Sequence, residues 1–279
     1  ALPNYDTTLR PPKRRRGGAL RPGSGPRWQI MGRGPLTAYM PTTGGRPEIA
    51  PYPEWTVRAL LTREPKEMEL VLAAGDLSGS WPIHVRSKKT GRVLTIDERP
   101  TFWLDYRGPD KPTWQGDRTK PADPKGSRLT PDRAHQPSLA YVPYLLTGDF
   151  YYLEEAYFWG TYCLLTSWPH PRGNAKGIIA GQVRGNAWSL RNIADAEFIA
   201  CDGDPEGKHF AEKVGNNLAD MTRRMYGPPE YNKIGAWGIR STTSARIQKP
   251  ANPKWMILAA WENDYLIWSL HHLVELGHD

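Results

Sequence analysis

The sequence contains little cysteine, little phenylalanine and no long apolar run. The shortage of cysteine argues against thiolate metal sites and disulfides, and the lack of a long apolar run argues against a membrane span. Cys163 and Cys201 are the two cysteines in 279 residues, and no CxxC pair exists, so no thiolate zinc site is indicated. We expect two buried free thiols rather than a disulfide, because cysteine packs as a small apolar side chain. No apolar run approaches the roughly 20 residues of a membrane-spanning helix, so we expect no membrane span. The chain also lacks a phosphate-cradling glycine loop and a GxSxG nucleophile motif.

The histidine spacing does not support a metal site either. His271 and His272 are adjacent, so they point to different faces of a helix and cannot form the i, i+4 pair that helical metal sites favour. His84 and His135 have no carboxylates at ligand spacing around them. We therefore expect no metal and no other cofactor.

The net charge of +8 is concentrated at the amino-terminal end. Residues 1–27 contain seven arginine or lysine residues and one aspartate, which accounts for +6 of the total. The rest of the chain is nearly neutral, which argues against nucleic acid as the partner of the body. Because residues 1–27 are rich in proline and glycine without apolar periodicity, they cannot fold alone. We expect an extended basic arm that contacts nucleic acid, an anionic glycan or an acidic protein surface, or that is simply solvated. Through this arm the protein could join a homo-oligomer or a larger assembly.

The remaining sequence predicts a mainly α fold. Residues 28–52 read as an irregular connecting segment, and residues 53–279 as a helical-hairpin domain with an insertion at 76–130. A polar residue followed by proline, which suits the first helical position, occurs four times: Glu64-Pro65, Thr130-Pro131, Asp204-Pro205 and Asn252-Pro253. The predicted helices cover approximately 53–62, 65–75, 131–147, 150–167, 183–201, 205–226 and 254–277, with a kink at Pro143. Inside the insertion, HVRSKKTGRVLTIDE predicts a small β-hairpin at 83–96, followed by a proline-rich loop.

One turn links this pattern to a known architecture. Gly148 can close one helix in the left-handed conformation and Asp149 can cap the next. Helix pairs joined by a Leu-Thr-Gly-Asp-aromatic turn and followed by YYLEEAYFW resemble the (α/α) toroid catalytic domains of polysaccharide lyases and glycoside hydrolases. The likeness covers about half of the chain and includes GDLSGSWPIHVRSKKTG, DRAHQPSLAYVPYLLTGD, QVRGNAWSLRNIADA and WENDYLIWSLHHLVELG. A complete toroid of that type has more helices than the seven predicted here, so the chain resembles a partial toroid of antiparallel hairpins.

The resemblance implies a groove lined by residues at one end of the helices. The catalytic candidates are Asp132, His135, Arg184 and Glu262, and the substrate-binding candidates are Trp81, His84, Gln136, Tyr141, Gln182, Trp188, Trp261 and Asp264. The 12 tryptophans and 13 tyrosines, against 5 phenylalanines, suit stacking on sugar rings because each side chain combines an apolar face with a polar edge. We expect five of the candidates to converge on one surface: His84, His135, Arg184, Trp188 and Trp261.

Two cleavage chemistries fit these residue types. A uronate lyase needs a group that neutralises the substrate carboxylate, a base and an acid, for which the candidates are Arg184, Gln136, His135 and Tyr141. A hydrolase needs two carboxylates across the scissile bond, which leaves Asp132 with Glu262 or Asp264. The leading hypothesis is a carbohydrate-active protein that cleaves an acidic polysaccharide.

The alternative is a non-catalytic structural or binding protein that uses a toroid-like scaffold and the basic arm within a larger assembly. Product formation from an acidic polysaccharide separates the two hypotheses. The chain begins at Ala1 rather than at methionine, as it would after removal of a signal peptide. We therefore expect an extracellular or periplasmic location.

Overall fold

The computed structural model describes residues 8, 10, 22–42, 45–49, 51–104, 117–119, 129–232, 238–240 and 259–278. These residues form seven α-helices: α1 Glu54–Thr62, α2 Pro65–Asp76, α3 Tyr141–Thr147, α4 Phe150–Leu165, α5 Val183–Phe198, α6 Pro205–Tyr226 and α7 Ala260–Glu275. Two short strands, β1 Phe102–Leu104 and β2 Asp117–Thr119, pair in parallel. The prediction of a mainly α fold is confirmed, whereas the toroid arrangement remains an expectation.

The polar-proline signal marks two helix starts correctly. Pro65 and Pro205 occupy the first positions of α2 and α6. The third signal, at Thr130-Pro131, does not begin a helix. Residues 131–140 are irregular except for the 3₁₀ turn Arg133–His135. The fourth, Asn252-Pro253, lies outside the described residues.

Pro137 explains why the helix predicted from residue 131 is wrong. A proline disfavours helical geometry in the residue before it, and Gln136 is extended, with φ −72° and ψ 138°. The helix therefore begins at Tyr141, which places Pro143 in the first turn of α3 rather than at a kink. The amide that proline lacks has no partner within the helix at that position, so Pro143 costs no hydrogen bond there.

The turn between α3 and α4 has the predicted geometry. Gly148 adopts the left-handed conformation, with φ 69°, and its amide donates to the carbonyl of Tyr144 at 2.7 Å. The Asp149 side chain accepts from the amide of Tyr151 at 2.9 Å. These two caps reverse the chain and make α3 and α4 an antiparallel hairpin.

The predicted β-hairpin at 83–96 is reduced to one antiparallel bridge between Arg86 and Val93 around a left-handed Gly91. Val93 and the next residue, Leu94, are both buried, so the arm lacks the alternation that a one-faced strand requires. Strand β2 lies instead in the proline-rich stretch 107–130 that the sequence indicated as a loop, and β1 lies just before that stretch.

Helix α5 is the centre of the fold. The directions of the neighbouring helices decide which helix ends lie beside the amino-terminal end of α5. Helices α4 and α6 are antiparallel to α5: the amide of Ala180, just before α5, donates to Ser167 after α4, and the amide of Ile179 donates to Asn217 late in α6. Helix α7 is parallel to α5, because three contacts follow the same order along both helices: Gln182 with Glu262, Ala187 with Ser269, and Asp195 with His272. As a result, the amino-terminal ends of α5 and α7 lie side by side.

A fully buried arginine holds the segment around β1 against the end of α4. Arg172 is 0% exposed and donates to the carbonyls of Leu164 and Ser167 at 3.1 and 3.0 Å. Its second terminal nitrogen donates to the carbonyls of Pro100 and Phe102, both at 2.7 Å. Burial lowers the pKa of Arg172 to about 10. This one side chain therefore links the segment around β1 to the carboxyl-terminal end of α4.

The described residues between 28 and 52 are largely irregular, but they contribute to the core. Leu36, Met40 and Ile49 are buried in the same apolar cluster as the helices. The cysteines are both free, but only Cys163 is buried. Cys201 is exposed because α5 ends at Phe198, three residues before the predicted end.

Candidate functional site at the starts of α5 and α7

The starts of α5 and α7 are joined by polar side chains that the sequence had indicated. Gln182, the residue that precedes α5, donates its Nε2 to Glu262 in the first turn of α7. Arg184, the second residue of α5, places its guanidinium carbon 5.3 Å from the ring centroid of Trp261. Trp261 is 47% exposed, so one region of its surface meets solvent beside the arginine. Four candidates therefore share one location.

Arg184 is buried without a counter-ion among the residues that the structure describes. The residue is 9% exposed, and it forms no ion pair or hydrogen bond with any residue that the structure describes. Its Nε is sealed from solvent and has no acceptor within the described part of the chain. Burial lowers the pKa of Arg184, while the charges of Glu262 and Asp132 act in the opposite direction. A buried charge without a hydrogen-bonded partner is costly and is uncommon in a stable protein.

Asp132 and His135 form a second polar pair beside Arg184. Their Oδ2 and Nδ1 atoms are 2.6 Å apart, and the other carboxylate oxygen accepts from the amide of Ala134. Since a carboxylate faces Nδ1, that nitrogen donates the hydrogen bond, and Nε2 is the ring nitrogen that can present a lone pair. The Nε2 atom is buried and has no hydrogen-bond partner among the described residues. This is the arrangement of a histidine base oriented by an aspartate.

The turn that carries this pair is fixed against the start of α5. Arg133 donates to Ser167 at 2.5 Å, and its guanidinium occupies the space that a Cβ would need at Gly181. Gly181 also has a positive φ of 108°, a conformation that L-residues rarely adopt. The backbone of Ala134 packs on Gly185 in the first turn of α5. Two glycines thus allow the Asp132–His135 turn to approach the helix closely.

Two predicted site residues point into the core instead. Gln136 is fully buried and donates to Ser189 at 3.1 Å, while its oxygen accepts from Cys163 and Asn192. Burial raises the pKa of the Cys163 thiol to about 11, so it remains protonated and donates to Gln136. These contacts give Gln136 a structural role that the sequence did not indicate.

Tyr141 is buried as well. It stacks on Tyr52 with ring centroids 6.1 Å apart, and burial raises its pKa far above the ordinary range of tyrosine. A tyrosine in this environment is neither exposed to a substrate nor easily ionised. The prediction that Tyr141 lines the groove and binds substrate is therefore wrong.

The tryptophans that were expected to bind substrate divide between surface and core. Trp81 and Trp188 are both 0% exposed, in contrast to Trp261. Trp81 packs near Trp159, with centroids 6.2 Å apart, and Trp188 packs near Tyr265 at 4.9 Å. Helix α5 is buried on nearly all sides, so an aromatic residue in its second turn becomes part of the core.

The last two candidates also lie apart from Arg184. His84 contacts Glu155 on α4 at 2.8 Å and packs edge-on against Phe158. It therefore belongs to the face of α4 rather than to the starts of α5 and α7. Asp264 is exposed, two residues beyond Glu262 and thus on a different side of α7. Of the five residues expected to converge, Arg184 and Trp261 are in contact, and His135 lies on the turn that packs on the start of α5.

Sequence reasoning missed a buried cluster between α5 and α7. His272 Nε2 lies 2.8 Å from Asp195 and 3.2 Å from the hydroxyl of Tyr52. Ser138 donates to the other oxygen of Asp195 at 3.2 Å. Burial, together with the charge of Asp195, raises the pKa of Tyr52 well above its usual value. No local pattern connects these residues, because tertiary packing alone brings them together.

A second missed cluster joins the loop before β1 to α6. Lys213 is fully buried and donates to Asp97 at 2.7 Å, and His209 contacts the same carboxylate at 2.5 Å. Burial raises the pKa of Asp97, but the two hydrogen bonds outweigh it and hold the pKa at about 2. His209 and Lys213 lie four residues apart on one face of α6. This spacing is the one feature of the cluster that could be read from the sequence.

Neither a metal centre nor a membrane helix is found in the described part of the chain. No three of its histidine, cysteine, aspartate and glutamate side chains are grouped so that they could hold an ion. None of its helices has the length and apolar character needed to cross a bilayer. Comparison of the chain with protein-family models, with curated proteins and with solved structures yields no match.

Proposed function

We propose that this protein binds an acidic glycan at the starts of α5 and α7 and cleaves it by proton abstraction. The observation that carries the proposal is the stacking of Arg184 on the exposed Trp261 at 5.3 Å. An aromatic surface beside an unpaired cation is suited to a sugar ring that bears a negative group. The Asp132–His135 pair lies on the turn that packs on the start of α5 and supplies a base at this end of the fold.

The proposed chemistry is β-elimination at a uronate. Arg184 pairs with the carboxylate of the sugar, which makes the proton on the adjacent carbon more acidic. His135 removes that proton through Nε2, and the electrons form a double bond as the glycosidic oxygen leaves. The protonated imidazole then returns the proton to the leaving oxygen. Because Nε2 is buried, the covering residues must move when substrate binds.

Hydrolysis by a carboxylate pair has less support. Asp132 is engaged with His135 at 2.6 Å, and Glu262 accepts a hydrogen bond from Gln182. Both carboxylates therefore already orient other groups, whereas a hydrolase needs one carboxyl to protonate the leaving oxygen and the other to act on the sugar or on water.

A second candidate function is glycan binding without cleavage, within an assembly joined by the basic arm, residues 1–27. The burial of His135 Nε2 favours it, because a base that substrate never reaches performs no chemistry. Both functions suit a protein that acts outside the cytoplasm, and we propose an extracellular or periplasmic location.

The test is to incubate the wild-type protein with polyuronates and with sulfated glycans. Elimination produces the ultraviolet absorbance of an unsaturated uronate, hydrolysis produces reducing ends without that absorbance, and binding alone produces neither. His135→Gln should abolish the elimination product while circular dichroism remains unchanged. His271→Gln is the matched control, since the His271 side chain is 71% exposed on α7. Product formation by His135→Gln at the wild-type rate would reject the assigned base.

A further inference from the structure

We infer that the starts of α5 and α7 form a binding site for a single negative charge, the carboxylate or sulfate ester of a sugar. The inference rests on the proposed function, because it names the group of the glycan that this end of the fold recognises. Its physical basis, however, is independent of any cleavage.

The first observation is that two helix amino termini meet at one place. The helices α5 and α7 have 16 residues each, run in parallel and are bridged at their starts by Gln182 and Glu262. The residue before each helix, Gln182 or Ala259, provides no side-chain cap. The backbone N–H groups of a first turn have no acceptor within the helix, and each terminus acts as about half a positive charge.

The second observation is the unpaired guanidinium of Arg184 between these termini. Arg184 is nine-tenths buried, and its side chain reaches from α5 to Trp261 on α7. Its Nε has no acceptor, and no carboxylate of the described residues lies within ion-pair distance of it. An arginine buried in this way is expected to pair with an anion, and the structure offers none from its own described side chains.

The charge balance indicates how much negative charge the site accepts. Among the described residues, the two arginines Arg133 and Arg184 are equal in number to the two carboxylates Asp132 and Glu262, which act on Arg184 only through their charge and form no ion pair with it. Arg46 pairs with a carboxylate of its own, that of Glu48, at 3.5 Å. The two helix termini then contribute about one positive charge. A carboxylate or a sulfate ester matches that balance, whereas a phosphate monoester carries close to two negative charges at neutral pH.

The position of the aromatic ring indicates what carries the anion. Trp261 is held by Arg184 on one side and by Tyr265, with ring centroids 5.6 Å apart, on another, yet it remains 47% exposed. An anionic group bound at the helix starts would place the atoms attached to it against this exposed surface. A sugar ring fits, because its C–H face packs on indole while its acidic group meets Arg184.

The experiment is nuclear magnetic resonance titration of the full-length protein with four probes: glucuronate, glucose 6-sulfate, glucose 6-phosphate and glucose. Glucuronate and glucose 6-sulfate should shift the backbone amides of residues 183–185 and 260–262, glucose 6-phosphate should bind at least several-fold more weakly, and glucose should have no effect. Arg184→Gln should weaken binding of the two monoanions by about tenfold or more, as expected for a charge-assisted hydrogen bond. Arg86→Gln, which removes a charge beside Glu154 on α4, should bind as the wild type does.

Several results would overturn the inference. They are equal shifts with glucose, shifts located elsewhere in the protein, preferred binding of glucose 6-phosphate, or unchanged affinity in Arg184→Gln. Should Arg184→Gln not fold, the location of the wild-type shifts and the order of the four probes decide the matter. Binding of the monoanions by a protein that cleaves no polysaccharide would support the site and reject only the catalytic part of the proposed function.

Discussion

Asp195 on α5 and His272 on α7 are separated by 77 residues in sequence, and their side chains meet at 2.8 Å in the interior. Both residues are buried, and Ser138 and Tyr52 complete the hydrogen bonds around them. This contact holds α5 and α7 in the parallel orientation that brings Arg184 and Trp261 together. The candidate site at one end of the helices thus depends on a polar cluster further along them.

Replacing one member of that cluster should be strongly destabilising. Asp195→Ala removes the acceptor of both His272 and Ser138, and we expect a loss of about 3 kcal/mol in the free energy of unfolding. Urea denaturation provides the measurement, with His271→Ala as a control that should change stability by less than about 0.5 kcal/mol because that side chain is exposed. Equal effects of the two changes would show that the cluster does not hold α7 in place.

Replacing Arg172, which donates to four backbone carbonyls, with lysine should destabilise the protein. Lysine keeps the charge but has one nitrogen, so Arg172→Lys leaves several of the buried carbonyls around it without a donor. We expect a loss of about 3 kcal/mol, measured by denaturation in urea. Arg86→Lys is the matched control, since Arg86 is half-exposed in its pair with Glu154. If both changes have the same small effect, the carbonyls around Arg172 are satisfied in some other way.

The contacts of Asp97 predict a specific pH dependence. Its pKa is held at about 2, below the ordinary value near 4, so folding favours the ionised carboxylate. The stability contributed by Asp97 is therefore fully present above about pH 4 and is lost as the pH falls from 4 towards 2. The variant Asp97→Asn should be less stable at neutral pH and should show a shallower loss of stability in this window. A pH profile of thermal unfolding that is identical for the two proteins would exclude this contribution.

Gly181 should be intolerant of any side chain. Gly181→Ala places a Cβ against the guanidinium of Arg133 at a backbone φ of 108°. We expect a loss of about 1–3 kcal/mol from strain, together with displacement of the Asp132–His135 turn. Gly215→Ala is the opposite control, because the space at that position in α6 is open and alanine should stabilise the helix by about 0.5–1 kcal/mol. Calorimetry of both variants tests the pair, and a neutral Gly181→Ala would mean that the turn can shift freely.

The helices could be predicted from the sequence wherever local signals act alone. Proline at the first helical position and the Gly148-Asp149 caps gave the starts of α2, α4 and α6 correctly. The prediction was wrong at residues 131–140, where Pro137 keeps the preceding residue extended. It also missed that α7 is parallel to α5, since no local pattern encodes the direction of packing between helices that lie far apart in the chain.

The candidate site could be predicted only in part, for the same reason. The toroid resemblance supplied the rule that groove residues lie at one end of the helices, and Gln182, Arg184, Trp261 and Glu262 were among the candidates it indicated. The rule does not distinguish an aromatic residue that faces solvent from one that faces the core, so Trp81, Trp188 and Tyr141 were assigned wrongly. Burial of a side chain is decided by the elements that pack over it, which the sequence does not display.

The most direct test of the account is the affinity of the protein for a polyuronate, compared with a neutral glucan, in wild type and in Arg184→Gln. Affinity electrophoresis should be run at physiological and at raised salt, because binding through the basic arm, residues 1–27, is screened by salt more strongly than binding at a partly buried site. The account predicts that polyuronate retards the wild type at both salt concentrations, that neutral glucan does not, and that Arg184→Gln loses the salt-resistant part. Equal retardation of the two proteins, abolished entirely by salt, would contradict it.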